Sequence, residues 1–300
     1  MDIAVIGAGF VGQATGKGLA KHNNKIVFID VDTAKVNSLK KEGFEAYLAD
    51  DYKNITTDIS MFSVHTPTQN GKPIFDYLEN ALIQFAKRLK KHNKYHLAVI
   101  RSTTLPGFTR NKFIPLIEKY SGKKAGLDFG VCMQPEYLRQ ATAQSDFDRP
   151  WFILIGELDS KSGDTLEKIY HPFNTPTKRV SLEEAEFQKY IHNIFNAVKI
   201  AFFNEMREIS NKIGVDADNI FPTVGITCEG CWNPIYGLRD YGPYDGACLP
   251  KDADGFQAWA REQGFPTKIL DSIIEQNKEY EKYYQKKKLS DAKPAQKVNK

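Results

Sequence analysis

A chain of 300 residues, 41% hydrophobic and 26% charged, can bury one large core or two ordinary ones, which excludes peptide, collagen-like and wholly disordered classes. The net charge of +4 is a local excess: residues 281–300 hold seven lysines against Glu281 and Asp291, leaving the rest at −1 with no basic groove of the kind that binds nucleic acid. No apolar run nears the ~18 residues of a membrane helix. The start, Met1-Asp2-Ile3-Ala4-Val5-Ile6-Gly7, shows no basic leader or cleavage site, so no membrane partner and a cytoplasmic location are expected, with free thiols at Cys132, Cys228, Cys231 and Cys248.

Taken in order, Ile3–Gly9 reads as a buried strand turning into a helix at 13–21, and Lys25–Asp30 as a second strand ending in an acid. Further apolar runs at Met61–Val64, His96–Ile100, Phe129–Met133 and Trp151–Ile155 alternate with helical patterns at Thr33–Glu42, Tyr77–Lys91 and Thr109–Tyr120. Strands alternating with helices predict an α/β fold, a Rossmann-type doubly wound parallel sheet over residues 1–178. A mainly helical portion over 179–288 follows. Its long helix, Leu182–Gly214, opens on Ser181 with Glu184 three residues on, and carries Phe187, Ile191, Ile194, Phe195, Val198, Phe202, Met206 and Ile209 on one stripe. An ordered loop is expected at 226–247, a last helix at roughly 252–288, and a disordered basic tail at 289–300.

Gly7-Ala8-Gly9-Phe10-Val11-Gly12 follows a strand and opens a helix, and Asp30 closes the next strand. In that context the glycines admit a pyrophosphate to a helix N-terminus and the carboxylate takes two ribose hydroxyls, so NAD is the expected cofactor and a 2′-phosphate is repelled. Cys248 lies in a polar loop three residues before Lys251, where a cation favours the thiolate. Lys189 and Asn193, four apart opposite the apolar stripe, are solvated surface unless that face lines a cleft. Glu136, in Pro135-Glu136-Tyr137-Leu138-Arg139, follows a strand on the ligand side of a parallel sheet. Cys228-Glu229-Gly230-Cys231 has the spacing of a zinc or redox pair, but no second pair completes a four-ligand site, so no metal is expected.

In order along residues 1 to about 280, these pieces resemble the UDP-glucose/GDP-mannose dehydrogenase family. The resemblance rests on the glycine motif with Asp30 and Lys35, on Thr66-Pro67, on Ser102-Thr103-Thr104-Leu105-Pro106-Gly107, on Pro135-Glu136-Tyr137-Leu138, on Glu186-Phe187-Gln188-Lys189 with Asn193, and on Cys248-Leu249-Pro250-Lys251-Asp252. It implies oxidation of C6 of a nucleotide hexose to the carboxylate with two NAD, through a thiohemiacetal and a thioester on Cys248. By the same resemblance Lys189 stands beside the C6 oxygen, Asn193 donates to substrate and oxyanion, Thr103 and Asp252 hold the water, and Glu136 is the acid/base. Cofactor contacts fall on Gly7, Gly9, Phe10, Val11, Gly12, Asp30, Lys35, Thr66 and Thr103; Tyr137, Leu138 and Lys251 touch substrate, and the chain is expected to form a homodimer through its long helix.

Departures qualify that expectation. Only 52 residues follow Cys248, so the family's third domain, a second nucleotide-binding unit, is expected to be absent. Gln134 and Gln140 replace an asparagine and a glutamate, Asp245-Gly246 replaces a glycine pair, and Asn233-Pro234-Ile235 stands where an Arg-Ile-Gly segment belongs. A two-electron β-hydroxyacid-type dehydrogenase acting on a smaller substrate, and a silent NAD-binding subunit, are the competing readings; a nucleoside stands beside the nucleotide sugar as possible substrate.

Overall fold

The computed structural model describes residues 1–238 and 242–291, with the side chains of the last helix to Lys287. By packing, the chain divides into two compact units, Met1–Asn193 and Ile194–Lys300. The first unit is built on an eight-stranded sheet: β1 (Asp2–Ile6), β2 (Lys25–Asp30), β3 (Glu45–Leu48), β4 (Ile59–Phe62), β7 (His96–Ile100), β8 (Phe129–Met133), β9 (Ile153–Glu157) and β10 (Thr177–Ser181). A hairpin, β5 (Thr68–Gln69) with β6 (Lys72–Pro73), forms a separate two-stranded sheet. The spatial order is β10-β9-β8-β7-β4-β1-β2-β3, so β1 has β2 on one side and β4 on the other. At such a reversal a crevice opens outside the carboxyl ends of the strands.

Burial on both faces explains the continuous apolar runs. Ala4, Ile6, Val27, Ile29, Ala98 and Ile100 face one core with α3 (Asp76–Leu89) and α4 (Ile114–Ser121). Ile3, Val5, Phe28, Leu97 and Val99 face the other, with α1 (Phe10–Ala20), α2 (Thr33–Lys41), α5 (Ala143–Asp148) and α6 (Ser160–Tyr170). The expectation of a parallel sheet holds from β3 to β8 and is corrected beyond it. β8 and β9 run antiparallel through Cys132↔Glu157 and Met133↔Gly156, after which β9 and β10 are parallel to each other. The physical reason is that residues 134–152 make no crossover: β9 starts on the edge where β8 ends, which keeps Glu136 and its neighbours on the ligand side.

His96, at the start of β7, is buried with Nε2 2.9 Å from Ser60 Oγ, while its Nδ1 finds no partner among the described residues. Burial, with His92 as the lesser cause, pulls its pKa down to about 3. A depressed imidazole pKa gives stability that is present above the unfolded value near 6.5 and is lost as pH falls toward 3, by up to about 1.4 kcal/mol per pH unit. Between pH 7 and 5 the wild type should therefore lose about 2 kcal/mol more than His96→Gln in urea unfolding. Equal losses would remove His96 from the acid response.

The long helix α7 (Leu182–Lys212) ends two residues before the expected Gly214 and opens with the predicted capping box. Ser181 Oγ accepts from Glu184 N–H at 3.2 Å and Glu184 Oε2 accepts from Ser181 N–H at 2.7 Å. Its apolar stripe does not face the core in its first half: Phe187 and Ile191 are 56% and 51% exposed, while Leu182, Ala185, Glu186 and Lys189 are buried. The polar members can be buried because each is paired, as the site shows below.

In the second unit, α8 (Ala217–Thr227) and α9 (Glu229–Trp232) replace the start of the expected loop, of which residues 239–241 lie outside the described residues. The expected last helix is two, α10 (Leu249–Glu262) and α11 (Lys268–Asp291), broken where Gly264 takes φ +68° and Pro266 follows. Glu205 of α7 accepts from the N–H groups of Ile269 and Leu270 at 2.9 and 3.3 Å, tying down the amino end of α11. The helix runs through Asp291, and the rest of the basic tail, 292–300, lies outside the described residues. Among the described residues no helix is long and apolar enough to cross a membrane.

Candidate active site

The glycine turn is fixed by two close approaches. Gly7 takes φ +93°, and a Cβ there would stand 2.5 Å from the carbonyl oxygen of Ser63; a Cβ on Gly12 would stand 1.9 Å from that of Gly7. Any side chain at either position would force β1, β4 and α1 apart. Gly9 is the N-cap of α1, and nothing lies within 4 Å of where its Cβ would be, so the first N–H groups of the helix are open to an anion.

Asp30 ends β2 beside that turn. Its carboxylate accepts from Ala8 N–H at 2.5 Å and Asp32 N–H at 2.9 Å, and Lys35 Nζ stands 4.0 Å away. Asp32 is the N-cap of α2, accepting from Ala34 and Lys35 N–H, which sets Lys35 on the first turn facing the cleft. Gly7, Gly9, Phe10, Val11, Asp30, Lys35, Thr66, Thr103 and Glu136 all line one cleft of about 820 Å³, a size suited to a dinucleotide. Gly12 packs beneath it.

The far wall is the pair of segments after β4 and β7. Ser102 Oγ accepts from Val64 N–H at 2.9 Å, and Thr66 Oγ1 donates to the Thr103 carbonyl at 3.0 Å, so the two loops are sewn together. Glu186 of α7 secures the next stretch: fully buried, it accepts from the Thr104 hydroxyl at 3.2 Å and from the N–H groups of Gly107 and Thr109 at 2.5 and 2.8 Å. Sequence reasoning quoted Glu186 within a motif but gave it no task. Its signal was its place one helical turn before Lys189, on the same face.

Beyond β8, the turn from Gln134 to Leu138 carries the carboxylate. Gln134 Oε1 accepts from Arg101 Nη1 and, at 2.8 Å, from the Tyr170 hydroxyl, all three side chains being buried. Glutamine in place of asparagine thus reaches a clamp behind the turn, and Arg101, which no motif reading singled out, meets no acidic side chain among the described residues. Glu136 pairs with Lys189: Nζ lies 3.1 Å from Oε1 and also donates to the Glu136 carbonyl. The two side chains are only 7% and 13% exposed. Leu138 N–H donates to the other carboxylate oxygen at 2.6 Å. Tyr137 donates its hydroxyl to Gln188 at 2.6 Å and packs against His192 with ring centroids 4.9 Å apart and the planes tilted by 48°, and burial raises its pKa to about 12. Asn193, one turn past Lys189, is exposed.

Cys248, Lys251 and Asp252 belong to the second unit. Cys248 is the N-cap of α10 and is exposed; its carbonyl accepts from Asp252 N–H at 2.9 Å. Cys248 thus stands at the amino end of a 14-residue helix, the positive end of its dipole. Gly246 takes φ +95°, so the second glycine of the departed pair is the one the backbone requires. Lys251 and Asp252 pair with each other at 2.5 Å in the open.

Residues 1–53 and 48–174 match the NAD binding domain of the UDP-glucose/GDP-mannose dehydrogenase family, and residues 183–279 match its central domain. GDP-mannose 6-dehydrogenase of Pseudomonas putida is 33% identical over 303 residues, covering 92% of this chain and 68% of the relative. UDP-glucose 6-dehydrogenase of Haloferax volcanii is 30% identical over 302 residues, covering 92% and 69%. Among solved structures, a ternary complex of GDP-mannose dehydrogenase from Pseudomonas aeruginosa superposes with a TM-score of 0.87 at 32% identity, over 93% of this chain and 69% of that one. The glycine turn, the Asp30 carboxylate and the cleft they share suit the cofactor that these matches specify: the chain belongs to the UDP-glucose/GDP-mannose dehydrogenase family and is an NAD-dependent oxidoreductase.

Proposed function

We propose that the chain oxidises the C6 primary alcohol of a nucleotide hexose to the carboxylate, with GDP-mannose the first candidate. The observation that carries this reading is the nearly dry Lys189–Glu136 pair, whose carboxylate lines the dinucleotide cleft together with Thr103. Greater likeness to GDP-mannose than to UDP-glucose dehydrogenases supports the choice of base. In this reading residues 1–178 hold NAD, through Gly7, Gly9, Phe10, Val11, Gly12, Asp30, Lys35, Thr66 and Thr103, and residues 179–288 bring the nucleophile.

NAD, when bound, supplies the hydride acceptor for both oxidations. Lys189 stabilises the alkoxide that develops as the C6 hydroxyl loses its proton to solvent water, and Asn193 donates to the same oxygen. The Cys248 thiolate adds to the aldehyde carbon; the thiohemiacetal then loses the second hydride and becomes a thioester. Thr103 and Asp252 hold the water, Glu136 takes its proton as it attacks, and the carboxylate leaves with the thiol restored. Tyr137, Leu138 and Lys251 contact the sugar nucleotide. The test is NADH formation on a panel of GDP- and UDP-hexoses and free nucleosides. Two NADH per sugar is expected; one would assign the two-electron chemistry, and NAD binding without turnover would mark a silent subunit.

The same reading includes a homodimer built on α7. Phe187, Ile191, Ile194, Phe195 and Val198 each stand at least half exposed along one side of that helix, an apolar stripe that a second copy would cover. Light scattering should give the mass of two chains. Phe195→Asp should weaken association by about 10²-fold, as expected for an aromatic anchor, and an unchanged dimer would move the interface elsewhere. Four free cysteines, two of them exposed, support a reducing, cytoplasmic location.

A further inference from the structure

Two cysteines take no part in this chemistry, and they stand together. Cys228 is exposed and Cys231 half-exposed, whereas Cys132 lies inside the sheet, where burial pushes its thiol up and keeps it inert. At the end of α8 the chain leaves helical geometry at Cys228, φ −78° and ψ 115°, and that residue becomes the N-cap of α9. Cys231 is the third residue of α9, and its N–H donates to the Cys228 carbonyl at 2.9 Å. This bond from residue i+3 back to residue i closes a turn whose Cα atoms lie within about 7 Å, and a disulfide spans about 4.4–6.8 Å between Cα atoms. In a capping box an N-cap side chain and the side chain three residues on each reach the other residue's backbone N–H, so both lie over the same first turn. The orientation of Cys228 agrees: a Cβ placed on Gly230 would stand 3.9 Å from its Sγ, so the sulfur is folded over the first turn of α9.

We propose that Cys228 and Cys231 form a vicinal dithiol that closes to an intramolecular disulfide by exchange with small-molecule disulfides. One cysteine thiolate attacks a sulfur of the reagent, forming a mixed disulfide and releasing one thiolate. The second cysteine thiolate then attacks the protein sulfur of that mixed disulfide and releases the other. The protein loses two protons and two electrons, and the reagent disulfide is reduced to two thiols. Ring closure within one turn outruns attack by a second reagent molecule, because the second thiol is held beside the first. The pair thereby differs from Cys248, which has no cysteine at this spacing and stops at a mixed disulfide. Closure pins the α8–α9 junction in the unit that carries Cys248.

The test treats the full chain, natively folded, with oxidised glutathione, alkylates the remaining thiols and digests with trypsin. Peptide 213–239 holds Cys228 and Cys231 and no other cysteine, and Cys248 falls on a different peptide. The expected product is peptide 213–239 two hydrogens lighter, with neither glutathione nor alkyl group, restored by dithiothreitol. Cys228→Ser and Cys231→Ser should each retain one glutathione instead, at least about tenfold more than the wild type. Two glutathiones on the wild-type peptide, two alkyl groups, or a disulfide between chains would each overturn the proposal.

Discussion

Cys248→Ser is expected to stop after the first oxidation, giving at most one NADH per enzyme and no carboxylate, with steady-state turnover down by about 10⁴-fold or more, as when other covalent nucleophiles are removed. Removing hydride from an alcohol needs a base and an acceptor but no sulfur, so the first step survives in outline. The aldehyde then has to be converted into a species with a hydride to give up. A thiolate does this readily at neutral pH, whereas a serine hydroxyl with no adjacent base does not. Placement of Cys248 at the amino end of α10, with its side chain exposed, leaves the sulfur free to attack, and serine keeps the capping geometry, so loss of fold is not the explanation for lost activity. The measurement is a rapid-mixing trace of NADH on the substrate that the panel identifies. A variant that forms two NADH at near wild-type rate removes the thioester from the mechanism. Wild-type activity with one NADH in both proteins would return the chain to the two-electron chemistry.

Legibility of the fold tracks how each residue is buried. β2, β7 and β8 carry buried apolar runs, closed in β2 by Lys25 and Asp30 and opened in β7 by His96, and the expected bounds match to the residue; β1 and the glycine turn were equally plain, because the close approaches at Gly7 and Gly12 leave one residue type for the task. β3 and β10 were missed. Both are sheet edges of mixed polarity, with Glu45 in one and Lys178 and Arg179 in the other, so neither shows an apolar run. α8 matches no expected element, because Pro222 inside it reads as a breaker, and Gly264-Phe265-Pro266 divides what reads as one last helix into α10 and α11. Reversal at β9 has no local signature at all. The site divides in the same way: the cofactor cleft is a local motif and is readable, but Lys189 and Glu136 lie 53 residues apart, and the face that carries Lys189 reads as solvated helix because its partners, Glu136 for Lys189 and the Thr104–Thr109 stretch for Glu186, are far away in the chain. A polar residue on a helix says nothing by itself about burial. Its partners decide, and those are set by tertiary structure.

Lys189→Met should lower kcat by about 10²–10³-fold, the usual cost of removing one donor from a charge developing in a dry site, and should also cost about 3–5 kcal/mol of stability. The second effect follows because the substitution strands the Glu136 carboxylate, 13% exposed, with one remaining N–H donor from Leu138 and leaves the Glu136 carbonyl without the lysine. A drop in activity could then reflect a loosened turn alone. Glu136→Gln in the same chain separates the causes, since a neutral amide beside methionine removes the stranded charge; the double variant should regain most of the lost stability, a coupling of about 2 kcal/mol or more. The first hydride transfer, which precedes the hydrolysis that Glu136 serves, should stay slow, because the ammonium proposed to meet the alkoxide is still missing. Lys189→Arg is the conservative partner: it keeps the charge but presents a planar fork to a pocket shaped around a single nitrogen, so a folded protein with kcat reduced more than KM is raised is the expected result. Urea unfolding read beside the pre-steady-state rate of the first NADH makes the comparison. Recovery of that first step along with stability in the double variant would reduce Lys189 to a support for the turn.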